Sequence, residues 1–420
     1  MRVSFYTLGC KVNHYETAAM AELFTAAGHQ VVAPTEGADV CIVNTCTVTA
    51  VADQKSRQML SRFHSLNPGA LVVAVGCYSE VNREAVSRLP GVGLVLGTGG
   101  RKDIVSLVEG ALLHAPLPEG TAPFARRDFE ELSAVADSRT RATLKIQDGC
   151  VSFCTYCAIP FARGALRSRS MDSCRRELTA LVAKGYQEIV LTGIELSEYG
   201  KDLTGRPTLL HVIALADEVG VPRLRLGSLD PRFASEAFAR ACAKSRSLCH
   251  QFHLSLQSGS KTVLERMNRR YTPEAFLENA RRLRAYMPDA AITTDVIGGF
   301  PGETEAEHQE TLAFLEAVGF ARIHAFPYSR RPGTKAADMP GQLSQREKAR
   351  RTRELIALGE KLEAAFIDSQ IGTVQQVLME EDGTGYTGNY IRVRCKGTAN
   401  ELVTVRLTGR EKNIAIGEEI

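Results

Sequence analysis

No apolar stretch in the 420 residues approaches the length needed to cross a bilayer. The first residues, Met1 to Gly9, lack the basic start, long apolar stretch and cleavage site of a secretory signal. Charge of one sign is also missing. Lys and Arg number 51 against 48 Asp and Glu, and a balance of +3 is too small to argue by itself for a nucleic-acid partner, a case that local patches must carry. These absences lead to the expectation of a cytoplasmic protein with no membrane segment. A hydrophobic content of 44% and a charged content of 24% are those of a globular chain. Its length exceeds one domain of about 100–200 residues.

What the chain has is cysteine, eleven in all. The number is odd, and a cytosolic chain is a poor place for structural disulfides. Cys150, Cys154 and Cys157 stand in the run Asp148-Gly149-Cys150-Val151-Ser152-Phe153-Cys154-Thr155-Tyr156-Cys157. Zinc sites and ferredoxin clusters usually take four protein ligands. A set of three suggests an iron–sulfur cluster with one iron left open for a substrate or cofactor.

Strands and helices alternate along most of the chain. Residues 1–114 read as an N-terminal open parallel α/β sheet, with strands Val3–Leu8, Val40–Val43, Leu71–Val75 and Gly91–Leu96. Residues 115–135, with Pro116, Pro118 and Pro123, read as a linker. Residues 136–367 hold six further candidate strands, Thr143–Ile146, Glu188–Leu191, Arg223–Leu226, Phe252–Leu256, Ile292–Val296 and Arg322–Phe326. Six repeats suggest an open, partial (β/α)6 barrel. Residues 368–420 read as a small all-β domain with three clear strands, Val374–Met379, Tyr390–Arg394 and Leu402–Leu407.

Cys10, Cys46 and Cys77 each follow one of the N-terminal strands. Groups at the carboxyl ends of parallel strands converge on one crevice, so these three thiols form a second candidate set. Cys41 lies within a strand and reads as core, as do Cys174, Cys242, Cys249 and Cys395.

The three strand-end cysteines, the Cys150–Cys157 run and a C-terminal β-domain, in that order, resemble the methylthiotransferase family of radical S-adenosylmethionine (SAM) enzymes over essentially the whole chain. The C-terminal segment is similar to a TRAM domain, an RNA-binding β-barrel. The run Thr7-Leu8-Gly9-Cys10-Lys11-Val12-Asn13-His14-Tyr15-Glu16-Thr17 resembles the branch that modifies N6-threonylcarbamoyl-adenosine in tRNA. The branch acting on isopentenyl-adenosine usually carries Cys-Asn-Met-Asn there, and the branch acting on a ribosomal-protein aspartate Cys-Pro-Lys-Asn. Two stretches depart from the family. Arg163-Gly164-Ala165-Leu166-Arg167-Ser168-Arg169 is less charged than the usual Arg-Gly-Arg-Glu-Arg-Ser, and the C-terminal module ends soon after its third strand, so it reads as short.

The resemblance implies two [4Fe–4S] clusters, an auxiliary one at Cys10, Cys46 and Cys77 and a SAM-cleaving one at Cys150, Cys154 and Cys157. It implies radical methylthiolation of the adenosine 3′ to the anticodon of ANN-decoding tRNA, with an electron donor such as flavodoxin or ferredoxin. SAM contacts are expected after the barrel strands: Gly193 and Glu195 in Thr192-Gly193-Ile194-Glu195, Ser255 and Gln257, and Gly298 and Gly299, whose missing side chains would admit the adenine. Each also fits an ordinary strand-end turn. Arg163, Arg167 and Arg169 are candidates for RNA phosphates, against a plain solvated loop. Two rivals stand beside this reading. One is a methylthiotransferase for isopentenyl-adenosine tRNA or a ribosomal protein. The other is an iron–sulfur carrier or RNA-binding regulator without radical chemistry, which would not need the SAM contacts.

Overall fold

The computed structural model describes residues 1–114, 128–134 and 140–420. Most of the expected linker, 115–127 and 135, lies outside them. Residues 128–134 cross the first helix, Lys11–Ala26, with Leu132 and Ala134 packed against Tyr15 and Ala19. Among the described residues, no helix is long and apolar enough to cross a membrane.

The N-terminal sheet has five parallel strands in the order Gln30–Val32, Arg2–Thr7, Val40–Thr45, Leu71–Gly76, Val92–Gly97. Its central strands are buried on both faces. Ile42, Val73 and Val75 pack with Met20, Phe24 and Ile104 on one side. Cys41, Val43 and Ala74 pack with Leu60, Phe63 and Val86 on the other, which makes Cys41 a core residue. Cys10, Cys46 and Cys77 follow three of these strands at their carboxyl ends.

Six strands form the central partial barrel: Arg141–Lys145, Glu188–Thr192, Arg223–Leu226, Gln251–Leu254, Ala291–Gly298 and Arg322–Pro327. They pair in parallel as two sheets, met by a bridge between Leu224 and Leu248. Alternation along the first three sends Ala142, Leu144, Ile189, Leu191, Leu224 and Leu226 into the core under the helices. Arg141, Thr143, Glu188, Arg223 and Arg225 therefore face the lumen.

Helix Gln345–Ser369 then runs beside strand Arg322–Pro327, Gly359 lying against Ile323. The C-terminal module is the expected small all-β domain, but it is not short, since two strands more than the three clear ones complete it. Five strands, Val374–Met379, Thr384–Thr387, Arg392–Arg394, Leu402–Glu411 and Ile414–Glu419, close into a barrel. Gly385 sits inside a strand, opposite Met379, where a Cβ would come within 2.4 Å of the Leu378 carbonyl oxygen. This barrel docks on the lumen. Arg223 and Arg225 donate to the carbonyls of Tyr386, Thr387 and Gly388. Their charge is balanced by the buried Glu188, which also pairs with Arg141.

Candidate active site

The loop carrying Cys150, Cys154 and Cys157 is closed at its base by the antiparallel pair Gln147–Asp148 and Arg167–Ser168. Gly149 has φ +76° and lies so near Ala165 that a Cβ would come within 1.9 Å of its carbonyl oxygen, so only glycine fits. On the far side, Thr155 N–H donates to Met267 O at 3.1 Å and Asn268 Nδ2 to Phe153 O at 3.1 Å. Each sulfur meets a donor: Ser152 N–H lies 3.5 Å from Cys150 Sγ, Arg269 Nη1 3.4 Å from Cys154 Sγ, and Ile159 N–H 3.4 Å from Cys157 Sγ.

The three N-terminal cysteine loops are stitched to one another. Asn13 Nδ2 donates to Leu8 O and Thr45 O, and Thr45 Oγ1 donates to Val75 O. The missing Cβ of Gly9 would stand 2.8 Å from Cys46 Sγ, which brings the Cys10 loop against the second thiol. Val48 N–H lies 3.5 Å from Cys46 Sγ and Arg163 Nε 3.2 Å from Cys77 Sγ.

Burial pushes the thiols of Cys46 and Cys150 up, and those of Cys77 and Cys157 up to about 12. Among the described residues, no three His, Cys, Asp or Glu groups converge on a single ion. Five of the six thiols meet an N–H donor, and Cys10, the exposed one, stands open at the edge of its set. Thiols so arranged suit a multi-iron cluster, whose positive charge would draw off their protons. Both sets fit that group on these grounds.

One arginine joins the two sets. Arg163 ends the short helix Ile159–Arg163 that follows Cys157. Besides Cys77 it reaches Glu16 Oε1 at 2.6 Å and Asn13 Oδ1 at 2.6 Å. Glu16 also receives Lys145 at 2.6 Å and Arg101 at 3.1 Å, and Lys145 bridges on to Asp148 at 2.6 Å. Burial alone would raise the Glu16 carboxyl. Arg101, Arg163 and Lys145 outweigh it and hold the group at about 2.

The expectation that Arg163, Arg167 and Arg169 meet RNA phosphates is corrected by this arrangement. All three are buried. Arg167 pairs with Asp148 at 2.8 Å, and Arg169 donates to Lys145 O, Ser173 Oγ and Tyr15 OH. Guanidinium groups enclosed by internal acceptors have no face left for solvent-side phosphates.

The expected SAM residues divide. Gly193 packs on Gln147, whose Oε1 accepts from Ile194 N–H at 2.9 Å and Glu195 N–H at 2.7 Å. Gln147 Nε2 donates to Asp148 O and Gly149 O, so this turn is bolted to the cysteine loop. Glu195 lies near enough to Cys150 to act on its thiol. Burial, then the nearby Asp230, push its carboxyl up to about 7. Ser255 O accepts from Arg269 Nη2 and Tyr271 OH, which ties it to the donor on Cys154. Gln257, at φ +71°, is fixed by backbone bonds to Asp295 and Ile297. Gly298 and Gly299 do not clear space for a purine. A Cβ on them would meet Thr352 Oγ1 at 3.0 Å and Lys348 Cγ at 2.6 Å, so that room belongs to helix Gln345–Ser369.

Sequence reasoning missed Arg269, Glu16 and Lys145 as site residues. It also missed Arg331, which donates to Thr47 Oγ1 at 2.7 Å and Asp53 Oδ2 at 2.9 Å beside Cys46. Glu16 lay within the run Thr7 to Thr17 and Lys145 at the end of a barrel strand, where buried partners could not be read.

Two family models match the chain: uncharacterized protein family UPF0004 over residues 2–97 and the radical SAM superfamily over residues 144–315. The threonylcarbamoyladenosine tRNA methylthiotransferase MtaB of Bacillus subtilis is 40% identical over 412 residues, covering 95% of this chain and 91% of its own. The protein of that name from Aquifex aeolicus is 36% identical, covering 94% and 97%. A tRNA-2-methylthio-N(6)-dimethylallyladenosine synthase from Pelotomaculum thermopropionicum is 32% identical, covering 90% and 87%. Among solved structures, the radical SAM methyltransferase TsrM of Kitasatospora setae shares the fold, with a TM-score of 0.61 at 18% identity over 80% of this chain and 77% of that one.

Proposed function

The chain belongs to the methylthiotransferase family that these relatives represent, and on that premise we propose that it acts on tRNA, adding a methylthio group at C2 of N6-threonylcarbamoyl-adenosine on the 3′ side of the anticodon. Residues 1–114 then carry the sulfur-handling cysteines, 136–367 the SAM-cleaving machinery, and 368–420 an RNA-facing barrel. Two [4Fe–4S] clusters, held by Cys10, Cys46 and Cys77 and by Cys150, Cys154 and Cys157, would supply with SAM the radical chemistry and sulfur that an unactivated purine C–H bond requires.

The observation that carries the reading is the buried Arg163, whose one guanidinium touches Cys77 of the first set from the helix that follows Cys157 of the second. A carrier of two independent clusters needs no such link; an enzyme that uses both on one substrate does. The other side chains hold the site in shape. Gln147 fixes the Glu195 turn against the cysteine loop, and Arg269 places a positive charge at Cys154. Glu195, a carboxyl that forms no ion pair among the described residues, is assigned the SAM ammonium. An external one-electron donor such as flavodoxin or ferredoxin is required, and the tRNA substrate puts the enzyme in the cytoplasm.

Mass spectrometry of tRNA nucleosides from cells lacking this protein tests the reading. The methylthio group should vanish from threonylcarbamoyl-adenosine and persist on isopentenyl-adenosine. Loss from the isopentenyl form instead, or from neither, would overturn it.

A further inference from the structure

A cavity of about 650 Å³ lies where the three domains meet, within the range of small-molecule sites. Lys11 and His14 enter it from the first helix, Arg141 and Arg225 from the lumen, and Tyr390 and the acidic stretch Glu380 to Asp382 from the C-terminal barrel. Lys11 directly follows Cys10, so the cavity adjoins the first cysteine set.

Its charges are unevenly spent. Arg225 is engaged by Glu188 and by carbonyls of the C-terminal barrel. Glu380 is engaged by Arg141 and Asp382 by Arg392. Lys11 makes no ion pair or hydrogen bond among the described residues, and Arg141 Nη2 is buried without an acceptor. Tyr390, on the cavity wall, stacks on Tyr386 at 4.7 Å, with Arg225 over the first ring and Arg141 over the second. Arg141 is otherwise paired, with Glu188 and Glu380, so what the wall leaves unmet is two donors, Lys11 and Arg141 Nη2. Two donors next to stacked rings suit a single carboxylate on a polar arm. An apolar arm would leave both donors desolvated and unpaired.

We propose that this cavity receives the N6 substituent of the target adenosine, Lys11 and Arg141 Nη2 binding its threonyl carboxylate, and that Lys11 sets the preference for that base over an isopentenyl one. The inference rests on the substrate assigned above. An RNA phosphate is the other anion these donors could meet.

Full-length, anaerobically reconstituted protein is titrated with anticodon stem–loops bearing threonylcarbamoyl-adenosine, its carboxamide, isopentenyl-adenosine or plain adenosine, read by fluorescence anisotropy. Wild type should favour the carboxylate over the carboxamide about tenfold, and Lys11→Met should erase that ratio while Lys11→Arg keeps most of it. An equal loss of affinity for all four stem–loops in Lys11→Met would show a phosphate contact and overturn the proposal. A wild type indifferent to amidation would also overturn it, with no variant needed. If that indifferent wild type still methylthiolates the threonylcarbamoyl stem–loop, this inference falls alone. If it leaves that RNA unmodified, the substrate assignment falls with it.

Discussion

Glu16 and Glu188 lie at the two seams of the molecule, one between the N-terminal sheet and the central barrel, the other beneath the C-terminal barrel, and both are completely buried. Each is ringed by cations: Arg101, Arg163 and Lys145 around the first, Arg141, Arg223 and Arg225 around the second. Both carboxyls are held at about 2 against the push of burial. Glu195, near Cys150, has no such ring, and burial and Asp230 raise its carboxyl to about 7. The seam carboxylates are committed to holding domains together. Glu195 forms no ion pair among the described residues, Arg269 acting on it only from a distance, and a carboxylate kept so at an active site is available to a cationic ligand.

Breaking a ring should have the largest effect. Arg163→Ala leaves Glu16 and Asp148 short of a cation and removes the donor at Cys77, so unfolding should become easier by about 3–5 kcal/mol. Urea unfolding followed by circular dichroism measures it, with Arg175→Ala as the contrast. Arg175 pairs with Glu218 on an exposed surface, and its removal should barely move the midpoint. Equal midpoints for the two variants would dissolve the distinction between seam and surface.

Acid should weaken both seams next. The Glu188 carboxyl is depressed in the folded chain, to about 2 from an ordinary 4.5. Its stabilisation is therefore complete above pH 4.5 and is lost as pH falls toward 2. At about 1.4 kcal/mol per pKa unit this comes to roughly 3 kcal/mol. Unfolding free energy measured across that window should fall less steeply in Glu188→Gln than in wild type. Parallel curves would mean that Glu188 is not the titrating group.

The seams also mark where the sequence stops being readable. Cys150, Cys154 and Cys157 share one loop, and Cys10, Cys46 and Cys77 follow strands whose apolar runs are plain, so both sets could be picked out. Arg163, Arg167 and Arg169 looked like solvent-facing charge because the partner of Arg163, Glu16, lies 147 positions away. Nothing local distinguishes a buried guanidinium from an exposed one. Glycine misled as well. Gly298 and Gly299 resemble a ligand turn but yield to a helix. In each case what decides is the close approach of a distant segment, a property of packing that pattern along the chain does not record.

Glu195→Gln should have the smallest effect and the sharpest meaning. Its carboxyl is raised in the folded chain, so it is largely protonated below about pH 7 and ionised above. A cationic ligand binds the ionised form. SAM affinity in wild type should therefore weaken as pH falls below about 7, by up to tenfold per unit. The glutamine variant keeps the shape and the Gln147 contacts of the turn, which run through backbone N–H groups, but has no charge to titrate. Its SAM affinity should be about tenfold lower at pH 8, about 1.4 kcal/mol, and flat between pH 6 and 8. Equilibrium dialysis of labelled SAM against the reconstituted protein gives both numbers. A variant that follows the wild-type pH curve would place the SAM ammonium elsewhere and leave Glu195 as one more structural acid, without the ring of cations that keeps Glu16 and Glu188 ionised.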